Sequence, residues 1–112
     1  MYDNQIMLRR LFKIEDDFKK ESLLGILADQ NCRVILDSIK DKSKSVIEIA
    51  KDTDICASTV YRKIMLLSDN KLLRTFGSFS EDGKKSFFYK SRVQSINVFF
   101  DIDSMNVEIT YK

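Results

Sequence analysis

The side chains of greatest chemical interest in this sequence are two hydroxyls and a guanidinium. Ser58, Thr59 and Arg62 lie three and four residues apart in the segment TDICASTVYRKIMLLSDNKLL, so they share one face of a helix. Hydroxyls in a first helical turn and a guanidinium one turn later can hydrogen-bond base edges, and the backbone N–H groups there can meet a phosphate. Taken alone, such a face is also typical of a helix that only meets water.

Composition argues against most other kinds of site. The chain has 112 residues with no histidine, three glycines and two cysteines, Cys32 and Cys56. Without histidine there is no Ser-His or Cys-His nucleophile pair, and the usual zinc ligand sets are missing. Because no glycine-rich phosphate-binding loop occurs either, we expect no enzyme, no catalytic residues, no metal and no cofactor, although carboxylates alone can perform acid–base chemistry. Both cysteines are expected to be reduced thiols in or beside the core.

The overall composition predicts one soluble domain. Apolar residues make up 44% of the chain and charged residues 32%. No apolar run approaches the roughly 20 residues that cross a bilayer, and no secretory signal is visible, so we expect a cytoplasmic protein with no membrane partner. The net charge is only +2, but residues 23–91 hold twelve basic and nine acidic side chains. This local surplus is a weak indication of a polyanionic partner.

Three predicted helices precede or carry the polar face. Apolar residues at helical spacing predict a helix over 29–40. Ser45 and Glu48 have the spacing of a capping box and predict a short helix over 46–52. A tight turn follows in which Asp54 can adopt a left-handed φ, and a further helix is predicted over 57–70. The apolar stripe of this last helix consists of Ala57, Val60, Ile64 and Leu67.

Two predicted hairpins follow. The segments LLRTFGSF and KSFFYKS flank Asp82-Gly83, a strong signal for a two-residue turn, which would place Phe76 opposite Tyr89. A second hairpin is predicted over 93–111. At the other end of the chain, the amphipathic pattern predicts a helix over 4–13, with EDDFKKES as a connector.

Helix, tight turn, helix and basic hairpin in this order predict an α+β fold of the winged helix-turn-helix type. The predicted parts are an N-terminal helix and connector (1–22), a DNA-binding domain with a basic β-hairpin wing (23–91) and a C-terminal β segment (92–112). The two terminal parts are expected either to pack on the core or to form a dimer interface.

The region 27–91 resembles small archaeal winged-helix transcriptional regulators of the ArsR-like group, most specifically in STVYRKI, in LL before the hairpin and in EDGKKSFFYKS. The resemblance implies a DNA-binding homodimer. It departs from the metal-sensing branch of that group, because the Cys-x-Cys ligand motif and histidines are missing, so metal sensing is not implied.

The resulting hypothesis is a sequence-specific regulator that binds double-stranded DNA through the 57–70 helix. Arg62 is expected to contact guanine, Tyr61 a phosphate, and the lysines at the hairpin tip the flanking minor groove or its phosphates. The predicted DNA-binding residues are Ser58, Thr59, Tyr61, Arg62, Lys63, Lys44, Arg74, Lys84 and Lys85. The alternative is a winged-helix module that binds protein and has little affinity for DNA. The sequence does not identify a small-molecule effector.

Overall fold

The computed structural model describes residues 10–112. These residues form four helices and five strands, in the order β1 (Arg10–Ile14), α1 (Asp17–Ala28), α2 (Gln30–Ser38), α3 (Val46–Thr53), α4 (Ala57–Asp69), β2 (Leu73–Phe79), β3 (Lys85–Ser91), β4 (Val93–Phe100) and β5 (Met105–Tyr111). None of these four helices has the length and apolar run that crossing a bilayer requires. The helices and the two antiparallel sheets together make a mixed α+β fold.

Polar side chains cap the first three helices at their N-termini. Asp16 and Asp29 accept hydrogen bonds from backbone N–H groups in the first turns of α1 and α2. At α3 the predicted capping box is confirmed: the Glu48 backbone N–H donates to Ser45 Oγ at 3.2 Å, and the Ser45 backbone N–H donates to Glu48 Oε1 at 2.9 Å. These caps satisfy N–H groups that a helix start otherwise leaves without a partner.

The turn between α3 and α4 sets the direction of α4. Asp54 has φ 60° and ψ 25°, so the predicted left-handed conformation is confirmed. The Thr53 hydroxyl donates to the Ile49 carbonyl at 2.7 Å and closes the end of α3. Of the predicted stripe on α4, Val60, Ile64 and Leu67 are fully buried and Ala57 is half-buried. This stripe holds α4 against the core and leaves its opposite face exposed.

The β2–β3 hairpin has a register that differs by one residue from the predicted one. Phe76 pairs with Phe88, and Tyr89 pairs with Thr75. The reason is a longer loop: the Ser80 backbone N–H donates to the Lys84 carbonyl at 2.9 Å, so this pair encloses three residues, 81–83, rather than the predicted two. Only Gly83 in this loop has a positive φ, 83°, as expected for a type I turn followed by a left-handed residue.

The hairpin is anchored to the helices at its base. The backbones of Lys44 and Tyr89 exchange two hydrogen bonds, with N···O distances of 3.0 and 2.8 Å. The Ser91 backbone N–H also donates to the Ile39 carbonyl, at 2.9 Å. The connection before α3 thus extends the β2–β3 sheet by one bridge, which fixes the hairpin relative to α2 and α3.

The N-terminal prediction is wrong where the structure describes it. Residues 10–13, predicted as the end of a helix, belong to β1, which pairs with β5 in a sheet of order β1-β5-β4. The remainder of the predicted 4–13 helix lies outside the described residues. The predicted connector EDDFKKES is also wrong, because α1 begins at Asp17. Pairing with a strand about 100 residues away is a non-local interaction that the local amphipathic pattern does not contain.

One hydrophobic core contains residues from two of the predicted parts, 23–91 and 92–112. It contains Leu23 and Ile26 of α1, residues of α2 to α4, and Val107 and Ile109 of β5, all of them almost fully buried. The predicted boundary after residue 22 falls inside α1. Within the described residues, the C-terminal sheet therefore packs on the same core as the helices.

Candidate nucleic-acid interface

The polar edge of α4 is exposed at its N-terminal end. Ser58 and Arg62 are exposed, Tyr61 is 54% exposed and Thr59 is half-buried. Because α4 begins at Ala57, these four side chains occupy its first two turns. The structure thus brings together the four side chains of α4 that are predicted to contact bases and one phosphate.

Arg62 is oriented by a contact along the same helix edge. Its Nη2 donates to Thr59 Oγ1 at 3.3 Å. This weak bond leans the guanidinium toward the start of α4, and among the described residues its other N–H groups have no hydrogen-bond partner. A planar guanidinium with free donors suits a bidentate pair of acceptors such as guanine O6 and N7.

Cys56 is the residue that precedes α4, and its environment favours the thiolate. Its Sγ lies 3.1 Å from Thr59 Oγ1 and 3.5 Å from Ser58 Oγ. Hydrogen bonds from the Ser58 and Thr59 hydroxyls lower the pKa of the exposed Cys56 thiol to about 7. Cys32 has the opposite environment, because burial raises the pKa of its thiol. The sequence predicts both thiols in or beside the core, but only Cys32 is buried there, whereas Cys56 is exposed.

Two of the predicted DNA contacts have carboxylate partners within the protein. Lys63 Nζ pairs with Asp29 Oδ2 at 2.5 Å, and the two side chains are only 23% and 25% exposed. Lys44 Nζ lies 2.7 Å from Asp52 Oδ2. The hydrogen bond from Lys63 holds the pKa of Asp29 below its ordinary value. Lys63 therefore links α4 to the cap of α2, on a different side of the helix from Arg62.

The two faces of the β2–β3 hairpin have different surroundings. One face looks toward α4, and the cleft between them is lined by Tyr61, Met65, Ser68, Thr75, Phe87 and Tyr89. Lys85 belongs to this face: its Nζ lies 5.0 Å from the centre of the Phe87 ring. Arg74, opposite Lys90, belongs to the other face. The hairpin therefore brings Lys85 to the same side as α4 and turns Arg74 away from it.

The structure also groups basic residues that the sequence did not connect. Arg74, Lys90, Arg92 and Lys112 surround one pocket at the base of the hairpin. They come from β2, β3, the β3–β4 connection and the chain end, so only the topology could have indicated their proximity. Within residues 10–112, no three histidine, cysteine or carboxylate side chains cluster closely enough to hold a metal ion.

Comparison with solved structures supports the fold. The sequence matches no protein-family model, and a search of curated proteins found no match. The crystal structure of NolR from Sinorhizobium fredii is similar, with a TM-score of 0.56 and 17% sequence identity over 68% of this chain and 71% of that chain. NolR has a winged helix-turn-helix fold. At this level of identity the likeness concerns the fold alone, and the chain described here has an α+β fold of the winged-helix kind.

Proposed function

We propose that this protein is a transcriptional regulator that binds double-stranded DNA sequence-specifically, with α4 in the major groove. The observation that carries the proposal is the exposed edge of Ser58, Tyr61 and Arg62 at the start of a helix that follows a tight left-handed turn. A B-DNA major groove is wide enough to accept such a helix. NolR, with the similar fold, is itself a transcriptional regulator. The resemblance to archaeal ArsR-like regulators belongs to the same proposal.

The proposed DNA contacts divide by position. Arg62 contacts guanine, Ser58 and Thr59 contact base edges or the first phosphate, and Tyr61 contacts a phosphate. Lys84 and Lys85, near the tip of the hairpin, act as the wing and contact backbone beside the major groove. Lys63 and Lys44 contribute less than the sequence suggested, because their ammonium groups are paired with Asp29 and Asp52.

We also propose that two copies bind together. One winged helix covers few base pairs, and a dimer would place two α4 helices in half-sites about 34–36 Å apart. The C-terminal hairpin offers apolar surface for this contact, since Phe99, Phe100 and Ile102 are 57%, 78% and 95% exposed. Strand β1, with Leu11 61% exposed, is the other candidate surface.

Selection of bound duplexes from a random DNA pool, at two salt concentrations, tests the function and the dimer together. We expect a palindromic consensus with half-sites one helical turn apart. Recovery of unrelated sequences with no consensus would contradict sequence-specific binding. A single, non-repeated half-site would contradict the dimer and leave DNA binding in place.

A second function, docking on another protein, is favoured by the same exposed apolar hairpin and by Glu81 and Asp82 at the tip of the other one. The two functions differ in their dependence on salt. For DNA binding, log K should fall by about 0.9 per log unit of salt for each phosphate contacted. An apolar protein interface should respond little to salt.

A further inference from the structure

A basic pocket lies at the base of the β2–β3 hairpin, where the two sheets of the protein meet. It has a volume of about 160 Å³ and is lined by Arg74, Phe76, Lys90, Ser91, Arg92 and Lys112. Four of these six side chains are cationic and none is a carboxylate. Within residues 10–112, none of the four cations has a carboxylate oxygen within 4 Å, whereas Lys20, Lys40, Lys44 and Lys63 do.

The arrangement of these cations costs stability unless an anion compensates it. Arg74 and Lys90 are direct cross-strand partners on the same face of the hairpin. Like charges in this position repel each other and destabilise a strand pair. Asp37 and Asp41 line a neighbouring cleft that shares Lys112 with this pocket, but within residues 10–112 neither carboxylate lies within 4 Å of these cations, and Asp37 is paired with Lys40 at 3.1 Å. The pocket therefore keeps a concentrated positive charge.

Contacts within the protein hold part of the cluster in place. The Arg92 guanidinium lies over the Tyr111 ring, with its carbon 4.6 Å from the ring centre, and its Nη1 donates to the Lys71 carbonyl at 3.4 Å. The Lys112 backbone N–H donates to the Arg92 carbonyl at 2.9 Å, and Lys112 Nζ donates to the Lys40 carbonyl. A positioned guanidinium loses little further entropy on binding and presents a planar set of donors that matches phosphate oxygens.

This pocket and the proposed DNA-binding edge face different directions. Arg74 and Lys90 lie on the face of the hairpin opposite the one that lines the cleft with α4. A duplex with α4 in its major groove would lie on the α4 side. A concave pocket of this size suits a small anion better than the convex backbone of a second duplex.

We propose that this pocket binds a small ligand that carries two or more phosphate groups. Arg74, Lys90 and Arg92 pair with the phosphate oxygens. Phe76, which is 46% exposed beside the cations, provides a surface on which an attached base or ring can stack. The ligand contacts both the β2–β3 hairpin and the end of the C-terminal sheet. The proposal does not depend on DNA binding.

Titration calorimetry of the full chain at low salt tests the proposal with three probes: inorganic pyrophosphate, ATP and uncharged adenosine. We expect pyrophosphate and ATP to bind and adenosine not to bind. The double substitution Arg74→Gln/Lys90→Gln should weaken pyrophosphate binding by about tenfold or more, because two charge-assisted contacts are lost. Arg74→Gln alone, at an exposed side chain, should give a smaller loss in the same direction.

Lys84→Gln/Lys85→Gln is the matched control, since it removes two charges from the same hairpin. It should leave pyrophosphate binding unchanged and weaken the binding of duplex DNA. Arg74→Gln/Lys90→Gln should weaken pyrophosphate binding and leave the binding of duplex DNA unchanged. Three results would overturn the proposal: no binding of pyrophosphate or ATP to the wild type, equal weakening of pyrophosphate binding by both double substitutions, or a larger loss of duplex binding in the Arg74/Lys90 variant. The last result would make the cluster a DNA contact. Because pyrophosphate and duplex are measured separately, failure of one proposal is distinguishable from failure of the other.

Discussion

Arg62 and Lys63 carry the same charge at adjacent positions of α4 and have different surroundings. The Arg62 side chain is exposed, and its one side-chain hydrogen bond within residues 10–112 is to Thr59, one turn back along the same helix. The Lys63 side chain is 23% exposed and pairs with Asp29. One step along a helix rotates a side chain by about 100°, so neighbouring cations face different sides. A basic dipeptide therefore does not specify which of its members is available to a ligand.

Replacing Arg62 by alanine should relax base preference at one position of the binding site. Loss of a bidentate guanine contact costs roughly 1–3 kcal/mol of discrimination. The measurement is the affinity for the selected duplex and for a duplex with that base pair exchanged. Arg33→Ala removes the same charge from α2, where the guanidinium donates to the Leu27 carbonyl, and should change both affinities little. Unchanged affinity in Arg62→Ala would mean that α4 does not contact bases through this side chain.

Cys56 should react with iodoacetamide much faster than Cys32. Its pKa of about 7 means that the thiolate fraction, and with it the alkylation rate, should rise as the pH passes through that value. Cys32 is buried and its thiol pKa is raised, so it should stay unmodified in the folded protein. Mass spectrometry of the protein alkylated at several pH values measures both rates. In Thr59→Val, the pH dependence of Cys56 alkylation should shift to higher pH if the Thr59 hydroxyl lowers the pKa of the thiol. An unshifted pH dependence would contradict this cause.

Among the helices and strands, those stabilised by local interactions were predictable and those stabilised by distant partners were not. The capping box of Ser45 and Glu48 and the left-handed Asp54 depend on residues within a few positions. Strand β1 is defined by its pairing with β5 at the other end of the chain. Its alternation is short, and LRRLFKI fits a helical pattern equally well.

The hairpin register illustrates a finer limit on prediction from the sequence. Asp82-Gly83 marked the turn correctly, but a loop of two and a loop of three residues contain the same dipeptide. Asp82 has no positive φ and accepts a hydrogen bond from the Ser80 hydroxyl. Both features fit the three-residue loop and not the two-residue turn. Since a shift of one residue exchanges the faces of a strand, this detail decides which lysines share a side with α4.

The ion pair between α4 and the start of α2 should make stability depend on pH in the acid range. Asp29 has a folded-state pKa below its ordinary value of 3.8, chiefly because of the hydrogen bond from Lys63. Its contribution is therefore present above that value and is lost as the pH falls through the folded-state pKa. In Lys63→Met we expect the free energy of unfolding at neutral pH to fall by roughly 1 kcal/mol and this acid dependence to weaken.

Urea unfolding at several pH values measures that effect. Lys40→Met is a suitable control, because Lys40 and its partner Asp37 are both largely exposed, at 58% and 72% of their side-chain surface. The control should lose little stability at any pH. An equal loss in both variants would show that the Lys63–Asp29 pair has no special stabilising effect.

At the scale of the whole molecule, the fold is extended. It measures 55 × 36 × 22 Å, and its radius of gyration is 15.8 Å. A compact domain of this length is expected to have a radius of gyration of about 13 Å. The outermost part of the C-terminal hairpin carries Phe99, Phe100 and Ile102 with little protein around them. Three exposed apolar side chains this close together in the sequence are typical of an interaction surface.

If that end forms the proposed dimer interface, Phe99→Ser/Phe100→Ser should produce a monomer. Each buried phenylalanine contributes about 1.5–3 kcal/mol to an interface. Light scattering at micromolar concentration should give a dimer for the wild type and a monomer for the variant. Phe79→Ser, at a 72% exposed position of the other hairpin, is the control and should remain dimeric. A wild-type protein that stays monomeric at every concentration would contradict the model of a dimer bound to two DNA half-sites.

The backbone attachments at the base of the β2–β3 hairpin have a consequence for divergence between relatives. Hydrogen bonds fix Tyr89 to Lys44 and Ser91 to Ile39, and both lie at the end of β3 farthest from the loop. Insertions, deletions and charge changes near residues 80–84 would be absorbed at the free end without altering the core. This loop is therefore a segment in which evolution could adjust length and charge at low cost to folding, and in which engineered sequence changes should be well tolerated.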